Sequence, residues 1–386
     1  MISHQAKAAT PEIECVEKPR RALVIVSKMD AGGAETVMMK YYRALDRSKY
    51  QLDFCVSDSA PGFYDEEILR LGGRLIRVAK KSSRPLKAMF DIVRVVKNGH
   101  YCCVIRNAEN AMASLDLLAA RLAGQKNTVF RSTNSSTSTG GILGRLAHRI
   151  GQHLLKHVTS FMVAPSSNAA KFMFDEFPKE GTRIALLPNA INYNDYCFDY
   201  DLRREGRQKL GISESALLIA SVGRLVEQKN QQFAIKVLSC LVSQNKDAYL
   251  VIVGKGPLRS ELGSFAIENG VDDRVLFLPP VKEIKELYSA LDVLLMPSRF
   301  EGMPNTAIEA QASGLRCILS DAITREAAYS EETVFLGTND DDVDLWADQC
   351  IAVDCKKRRK RGESLLGSEF DMSCAISRFI RIVYQK

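Results

Sequence analysis

Two carboxylates eight positions apart, Glu301 and Glu309, lie in the segment PSRFEGMPNTAIEAQASG (297–314). A strand is expected to end at Ser298, a loop to carry Glu301, Gly302, Met303 and Pro304, and a helix to start near Asn305 and include Glu309. Gly302 and Pro304 suit a tight turn, and Asn305 or Thr306 can cap the helix. Unpaired backbone N–H groups at such a helix start attract an anion. A carboxylate accepts two hydrogen bonds from a diol, so the pair suits a hydroxyl-rich ligand. The plainer reading has Glu309 merely favouring the positive end of its helix.

A second group is cationic. SVGRLVEQKN (221–230) follows an apolar run, and Arg224 and Lys229 flank a loop that should open at a strand end. Two cations there suit a diphosphate, although taken alone they would equally be solvated surface charges. A third group is MDAGGAE (29–35), where Gly32-Gly33 before a helix would let backbone approach a phosphate. It is not GxGxxG, no GxxxxGK[ST] occurs, and GKGPLR (254–259) lacks the third glycine of a dinucleotide site. Asp340-Asp341-Asp342 resembles a metal motif but reads better as a solvated helix start. His153 and His157 are four apart with no third ligand in view, and the ten cysteines form no CxxC pair. No metal site and no disulfide framework is expected; the thiols read as buried and reduced.

These groups need elements to position them. Short β-branched runs alternate with helical patterns through the 386 residues, for example ALVIVS (22–27), LDFCVS (52–57) and TVFRS (128–132), then ALLIASVG (216–223), AYLVIVG (248–254) and DVLLMPS (292–298). Continuous apolar strands between helices imply parallel sheets covered on both faces. Two doubly wound α/β domains of about six strands each fit better than one long sheet. The boundary should fall between LLPNAIN (186–192) and Leu217, in a polar stretch without periodicity until its end. Ligands of such sheets bind beyond the strands' carboxyl ends, which places the site in the cleft between the domains. STNSSTSTGG (132–141) is either a mobile substrate loop or a plain linker.

Composition narrows the partners. With 46% hydrophobic and 26% charged residues the chain is ordinary globular protein, and no apolar run approaches the ~20 residues of a membrane span. Residues 1–20 carry no apolar signal-peptide core. Residues 1–185 hold 28 Lys+Arg against 17 Asp+Glu, a net of +11; residues 186–386 hold 25 against 29, a net of −4. A basic first half attracts an anionic membrane surface or a phosphorylated substrate. Nucleic acid is not expected, because aromatics are not interleaved with the basic residues. ILGRLAHRIGQHLLKHV (142–158) places Leu143, Leu146, Ile150, Leu154 and Val158 on one stripe, which either packs on its own domain or lies on a membrane. KKRRKR (356–361) reads as a solvated helix face or an anionic-lipid contact.

From about residue 21 to 385 the chain resembles the family 4 retaining glycosyltransferases of the GT-B fold, two Rossmann-like domains facing across a cleft. The resemblance is carried by MDAGGAE, YDEEILRLGG (64–73), LLPNAIN, VGRLVEQKN, GKGP and EGMPNTAIEA, with the E-x7-E spacing of Glu301 and Glu309 as hallmark. Residues 31–54 resemble the branch that builds capsular and exopolysaccharide repeat units. The resemblance implies an N-terminal extension over 1–20, an acceptor-binding domain over 21–190, a nucleotide-sugar-binding domain over 191–370, and a C-terminal helix (371–386) that completes the first domain. It implies that Arg224 and Lys229 bind the donor diphosphate in place of a metal, and that Glu301 contacts the donor sugar. Glu309 would hold the ribose. Backbone from Gly302 through Met303, Pro304 and Asn305 to Thr306 would touch sugar and phosphate, Gly33 the diphosphate, and Val281 the base. Many relatives carry a histidine where this chain has Arg131-Ser132-Thr133-Asn134, so Arg131 and Asn134 become acceptor-side candidates. The implied activity is metal-independent, retaining transfer from a nucleoside-diphosphate sugar, a UDP-sugar, to a lipid-linked glycan, without a cofactor. The implied setting is cytoplasmic and peripheral, on the inner face of the cytoplasmic membrane. A UDP-sugar 2-epimerase and a non-catalytic nucleotide-sugar-binding subunit are the alternative readings.

Overall fold

The computed structural model describes residues 18–133, 141–178, 181, 183–281, 284–352 and 357–385. In the first half, β1 (Arg20–Val26), α1 (Gly33–Ala44), β2 (Tyr50–Val56), α2 (Asp65–Arg70), β3 (Leu75–Arg77), α3 (Pro85–Gly99) and β4 (Cys103–Ala108) alternate. They continue through α4 (Ser114–Leu122), β5 (Thr128–Ser132), α5 (Ile142–Val158), β6 (Phe161–Ala164), α6 (Ser167–Phe174) and β7 (Ile184–Leu186). The strands form one parallel sheet in the order β3-β2-β1-β4-β5-β6-β7. Val24 and Ile25 are both buried although they face opposite sides, which is why β1 reads as an unbroken apolar run. β7 had no such signal. It is three residues long, and two of them are only half-buried.

The second half opens with α7 (Tyr200–Leu210) and β8 (Leu217–Val222), followed by α8 (Gln231–Ser243), β9 (Ala248–Val253), α9 (Arg259–Glu268) and β10 (Val275–Leu278). Then come α10 (Ile284–Ala290), β11 (Val293–Met296), α11 (Asn305–Ala312), β12 (Arg316–Ser320), β13 (Thr333–Leu336), α12 (Val343–Ile351), α13 (Arg358–Gly362) and α14 (Met372–Val383). Its parallel sheet runs β10-β9-β8-β11-β12-β13. In both sheets the order reverses beside the first strand, between β1 and β4 and between β8 and β11. Loops leaving those strands diverge there and open a crevice at their carboxyl ends. The loops after β1, β8 and β11 are the three chemistry-bearing segments of the sequence.

The stretch before Leu217 is not featureless. It contains α7, whose inner face presents Arg203 and Arg207 to Asp292 at 2.9 and 2.5 Å. A buried ion-paired face replaces an apolar one, so no hydrophobic period announces this helix. In the basic run Lys357, Arg359 and Lys360 are exposed as expected, but one member departs. Arg358 is fully buried, donates to the carbonyls of Tyr288, Ser289, Leu291 and Ser313, and stacks 4.2 Å from the Phe198 ring. It satisfies carbonyls left open at the ends of α10 and α11 and is no solvated charge; Lys356 lies outside the described residues. Of the eight described cysteines, all free, four are buried and four only partly so.

α14 carries the chain back onto the first sheet. Phe379 stacks on Tyr41 of α1 at 4.9 Å, and the Tyr384 hydroxyl donates to the Gln51 carbonyl at 2.8 Å. Asp371 caps this helix through the Ser373 N–H at 2.9 Å and bridges to Ile191. The two crossings between the sheets thus run side by side. Among the described residues no helix is long and apolar enough to cross a membrane.

Candidate active site

The loops after β8 and β11 are joined directly. Arg299 donates its backbone N–H to the Gln228 carbonyl at 2.8 Å, and the Gln228 amide donates to the Phe300 carbonyl at 2.9 Å. This brings Lys229 Nζ to 2.5 Å from Glu301 Oε1, with side-chain exposures of 16% and 11%. Glycines make the room. A Cβ on Gly223 (φ +157°) would press on Lys229 Cε at 3.1 Å, and one on Gly254 (φ +152°) would strike the Gly223 carbonyl at 1.9 Å. Arg224 is exposed, and its guanidinium has no partner among the described residues.

α11 starts where the sequence placed it, but its cap differs. The N-cap is Pro304, and no side chain caps the helix. Asn305 instead accepts from the Asn189 amide at 2.7 Å, and Thr306 is half-buried. The backbone N–H groups of Gly302, Met303, Asn305 and Thr306 have no acceptor among the described residues. Four donors are therefore left open at the positive end of a helix, a place that favours a phosphate. Met303 is buried in the second domain's core, and Val281 packs against the same core half-exposed. Gly33 faces this point from the first domain: a Cβ there would lie 3.7 Å from the Asn305 amide.

Glu309 meets residues of both domains. Its Oε1 accepts from Lys40 Nζ at 2.7 Å and from the Tyr196 hydroxyl at 3.2 Å, and its Oε2 from the Tyr288 hydroxyl at 3.2 Å. Burial alone would lower the Lys40 pKa, but the Glu309 carboxylate and Tyr196 outweigh it and hold the ammonium above its ordinary range. Burial and then the Glu309 charge push Tyr196 up to about 12. Both groups keep their protons at neutral pH.

Arg131 is placed at the end of β5 but only 3% exposed, donating to Asn107 at 3.1 Å and Asn189 at 2.8 Å. Burial pulls its pKa down, opposed by Tyr41 and Glu35. Its Nε has no hydrogen-bond partner among the described residues. Asn189 passes the contact on to the Met303 carbonyl at 3.2 Å and to Asn305. Arg131 thereby supports the loop after β11 from beneath. Asn134 and most of the 132–141 loop lie outside the described residues. The Asp340–Asp342 run is a single turn, with Asp340 paired to Lys236 at 2.5 Å and Asp342 accepting the Asn339 N–H.

The domains also meet where Ser166 donates to the Gly302 carbonyl at 3.4 Å and where Glu326 accepts the Ser167 N–H at 2.7 Å, at the start of α6. Lys40, Tyr196, Tyr288 and Glu326 carried no signal in the sequence, since each is a lone polar residue on a helix or in a loop. Asn189 stood within LLPNAIN, and its partners Arg131 and Asn305 were also legible as candidates, though not that the three would meet.

A family model described as Glycosyltransferase Family 4 matches residues 31–195, and one described as Glycosyl transferases group 1 matches residues 216–353. The protein named as glycosyltransferase EpsF of Bacillus subtilis (strain 168) is 35% identical over 345 residues, covering 89% of this chain and 90% of that one. A UDP-Gal:alpha-D-GlcNAc-diphosphoundecaprenol alpha-1,3-galactosyltransferase of Escherichia coli is 22% identical over 297 residues, 75% of this chain and 76% of that one. Among solved structures, Anabaena HepE in complex with UDP and glucose superposes with a TM-score of 0.75 at 17% identity, covering 94% of this chain and 98% of that chain. WaaG, a glycosyltransferase involved in lipopolysaccharide biosynthesis, does so with a TM-score of 0.70 at 16% identity, over 95% and 100%. The chain belongs to glycosyltransferase family 4 and has the GT-B fold. It is a glycosyltransferase; neither the epimerase nor the partner-subunit reading is favoured.

Proposed function

We propose that the protein is a retaining, metal-independent glycosyltransferase that moves a sugar from a UDP-sugar to a lipid-linked glycan during polysaccharide assembly. The observation that carries this is the junction of the loops after β8 and β11, which sets Lys229 2.5 Å from Glu301 just ahead of the uncapped start of α11, with Arg224 on the same β8 loop. That set answers both parts of a nucleotide sugar. The cations and N–H groups meet the diphosphate, and Glu301 meets sugar hydroxyls. UDP is the favoured nucleotide because HepE is known bound to it and the Escherichia coli relative uses UDP-Gal.

In this reading the bond from the anomeric carbon to the phosphate oxygen breaks while Lys229 and Arg224 offset the charge left on the diphosphate. The acceptor hydroxyl attacks from the same face, and its proton passes to the departing phosphate oxygen. No protein base is required. The protein supplies orientation and fixed charge. The test is a panel of UDP- and GDP-sugars with a polyprenyl-diphosphate-linked sugar as acceptor, the product's anomeric configuration being read by NMR. Consumption of a UDP-sugar with the configuration kept is expected. Inversion, or use of GDP-sugars alone, overturns the reading.

A lipid-linked acceptor implies contact with a membrane, and α5 offers a surface for it. Its apolar stripe is divided. Leu143, Leu146 and Ile150 are 82%, 55% and 58% exposed, as is Ile142 at 78%, whereas Leu154 is half-buried and Val158 buried. The helix packs instead by the adjoining face of Gly151, Leu155 and Val158, with Gly151 set against the segment around Ala111 where a Cβ would not fit. Beside the exposed residues runs a groove of about 610 Å³ whose lining includes Arg145, Arg149 and Lys156 of α5, with Lys171 paired to Asp175 on its far side. α5 itself bears no carboxylate. The three cations of α5, Arg145, Arg149 and Lys156, at roughly 1 kcal/mol each near an anionic surface give about a hundredfold in affinity. Sedimentation with anionic vesicles should show binding at low salt that is lost at high salt. No binding at low salt, or binding indifferent to salt, contradicts peripheral attachment by this face.

A further inference from the structure

We propose that Lys40 is a latch on the candidate ribose site, holding the empty enzyme closed and leaving Glu309 when the nucleotide enters. This rests on the reading of Glu309 as the ribose carboxylate. A carboxylate offers about four acceptor positions. In this structure three are filled, by Lys40 and Tyr196 on Oε1 and by Tyr288 on Oε2. A ribose diol brings two hydroxyl donors and needs both, so one present donor has to go.

The geometry selects Lys40. Tyr196 and Tyr288 belong to the same domain as Glu309, and both rings are buried in that domain's core, 6.4 Å apart. Neither hydroxyl can withdraw without opening the core. Lys40 comes from α1 of the other domain on an unbranched side chain, its ammonium 5.1 Å from the centre of the Tyr196 ring. It can turn aside by rotation about its own bonds, or move away as the domains part. The pair is 12% and 15% exposed, so water screens it little. Lys40 therefore does two things at once in the empty protein. It ties α1 to α11 across the cleft, and it competes with the ribose for one carboxylate.

The sign of the test follows. Removing a donor to UDP weakens UDP, whereas removing a competitor tightens it. Lys40→Met should tighten UDP about tenfold, since a hydrogen bond to a charged group is typically worth at least that. It should leave the affinity for inorganic pyrophosphate, which has no ribose, unchanged. Small-angle scattering should show the empty Lys40→Met protein more open than wild type, and the two alike when UDP is bound. Lys40→Gln, which keeps the polar end without the charge, should act in the same direction. Weakened or unchanged UDP binding in both variants overturns the latch, as does equal tightening of pyrophosphate. Glu309→Gln separates the two readings. If it fails to weaken UDP, the ribose assignment is wrong. If it weakens UDP while neither Lys40 variant tightens it, the latch alone is wrong.

Discussion

Lys229→Met should lower the transfer rate about a hundred- to a thousandfold, the usual loss when one preorganised donor to developing charge is removed. Lys229 is held 2.5 Å from Glu301 and is largely enclosed, so its charge acts in a poorly screened site. Arg224→Met should act in the same direction through the same diphosphate. Activity of the unaltered protein should persist in EDTA if, as proposed, these cations take the role that a divalent metal would otherwise have. Strict dependence on added manganese or magnesium, lost on chelation, would refute that role. The Lys229–Glu301 contact adds a finer expectation. Lys229→Met and Glu301→Gln should not be additive in the double variant, since each removes the other's partner. Additive losses would mean that the contact has no part in transfer.

Glu301→Gln and Glu309→Gln should separate the sugar from the nucleotide. Glu309 is assigned to the ribose, which UDP and the UDP-sugar share and which does not react. Its loss should weaken both, about ten- to a hundredfold, since a hydrogen bond to a charged group is worth ~1.5–3 kcal/mol and the diol donates two. Relief of the Lys40 contact offsets only part of this. Glu301 is assigned to the donor sugar, so its loss should leave UDP affinity in place. It should slow transfer by a similar factor, because a misplaced reacting ring costs rate even when binding persists. Titration with UDP and single-turnover rates for each variant decide the matter. Equal weakening of UDP by both substitutions would show the two roles to be wrongly divided.

Much of this protein could be read from residue order because the relevant signals are local. A parallel strand covered on both faces is an unbroken apolar run, so β1, β8, β9 and β11 announced themselves. The spacing from Glu301 to Glu309 and the Pro304-Asn305 step set out a strand, a loop and a helix start, and α11 begins at Asn305. Segments whose burial is polar stayed hidden. α7 conceals Arg203 and Arg207 behind a charged composition, and Arg358 looked like one more cation in a basic run until carbonyls of two helix ends closed on it. β7 was too short and too exposed at its edge to leave a pattern.

What only the tertiary structure decided is which lone polar residues meet. Lys40 and Glu309 are 269 positions apart, Arg131 and Asn189 are 58, and Asn189 and Asn305 are 116. No periodicity or short motif links such distant partners. They come together because the two sheets each reverse strand order beside their first strand, and because paired crossings at Ile191 and Asp371 fix how the sheets face. The same geometry turned Arg131 from a residue aimed at a ligand into a buried support for the loop after β11. A residue's type fixes the chemistry it can offer, whereas its partners depend on how separate stretches of backbone pack. The sequence therefore determined the fold class and the set of reactive groups. The packing of one domain against the other determined which of them meet and which donor already occupies the carboxylate of Glu309.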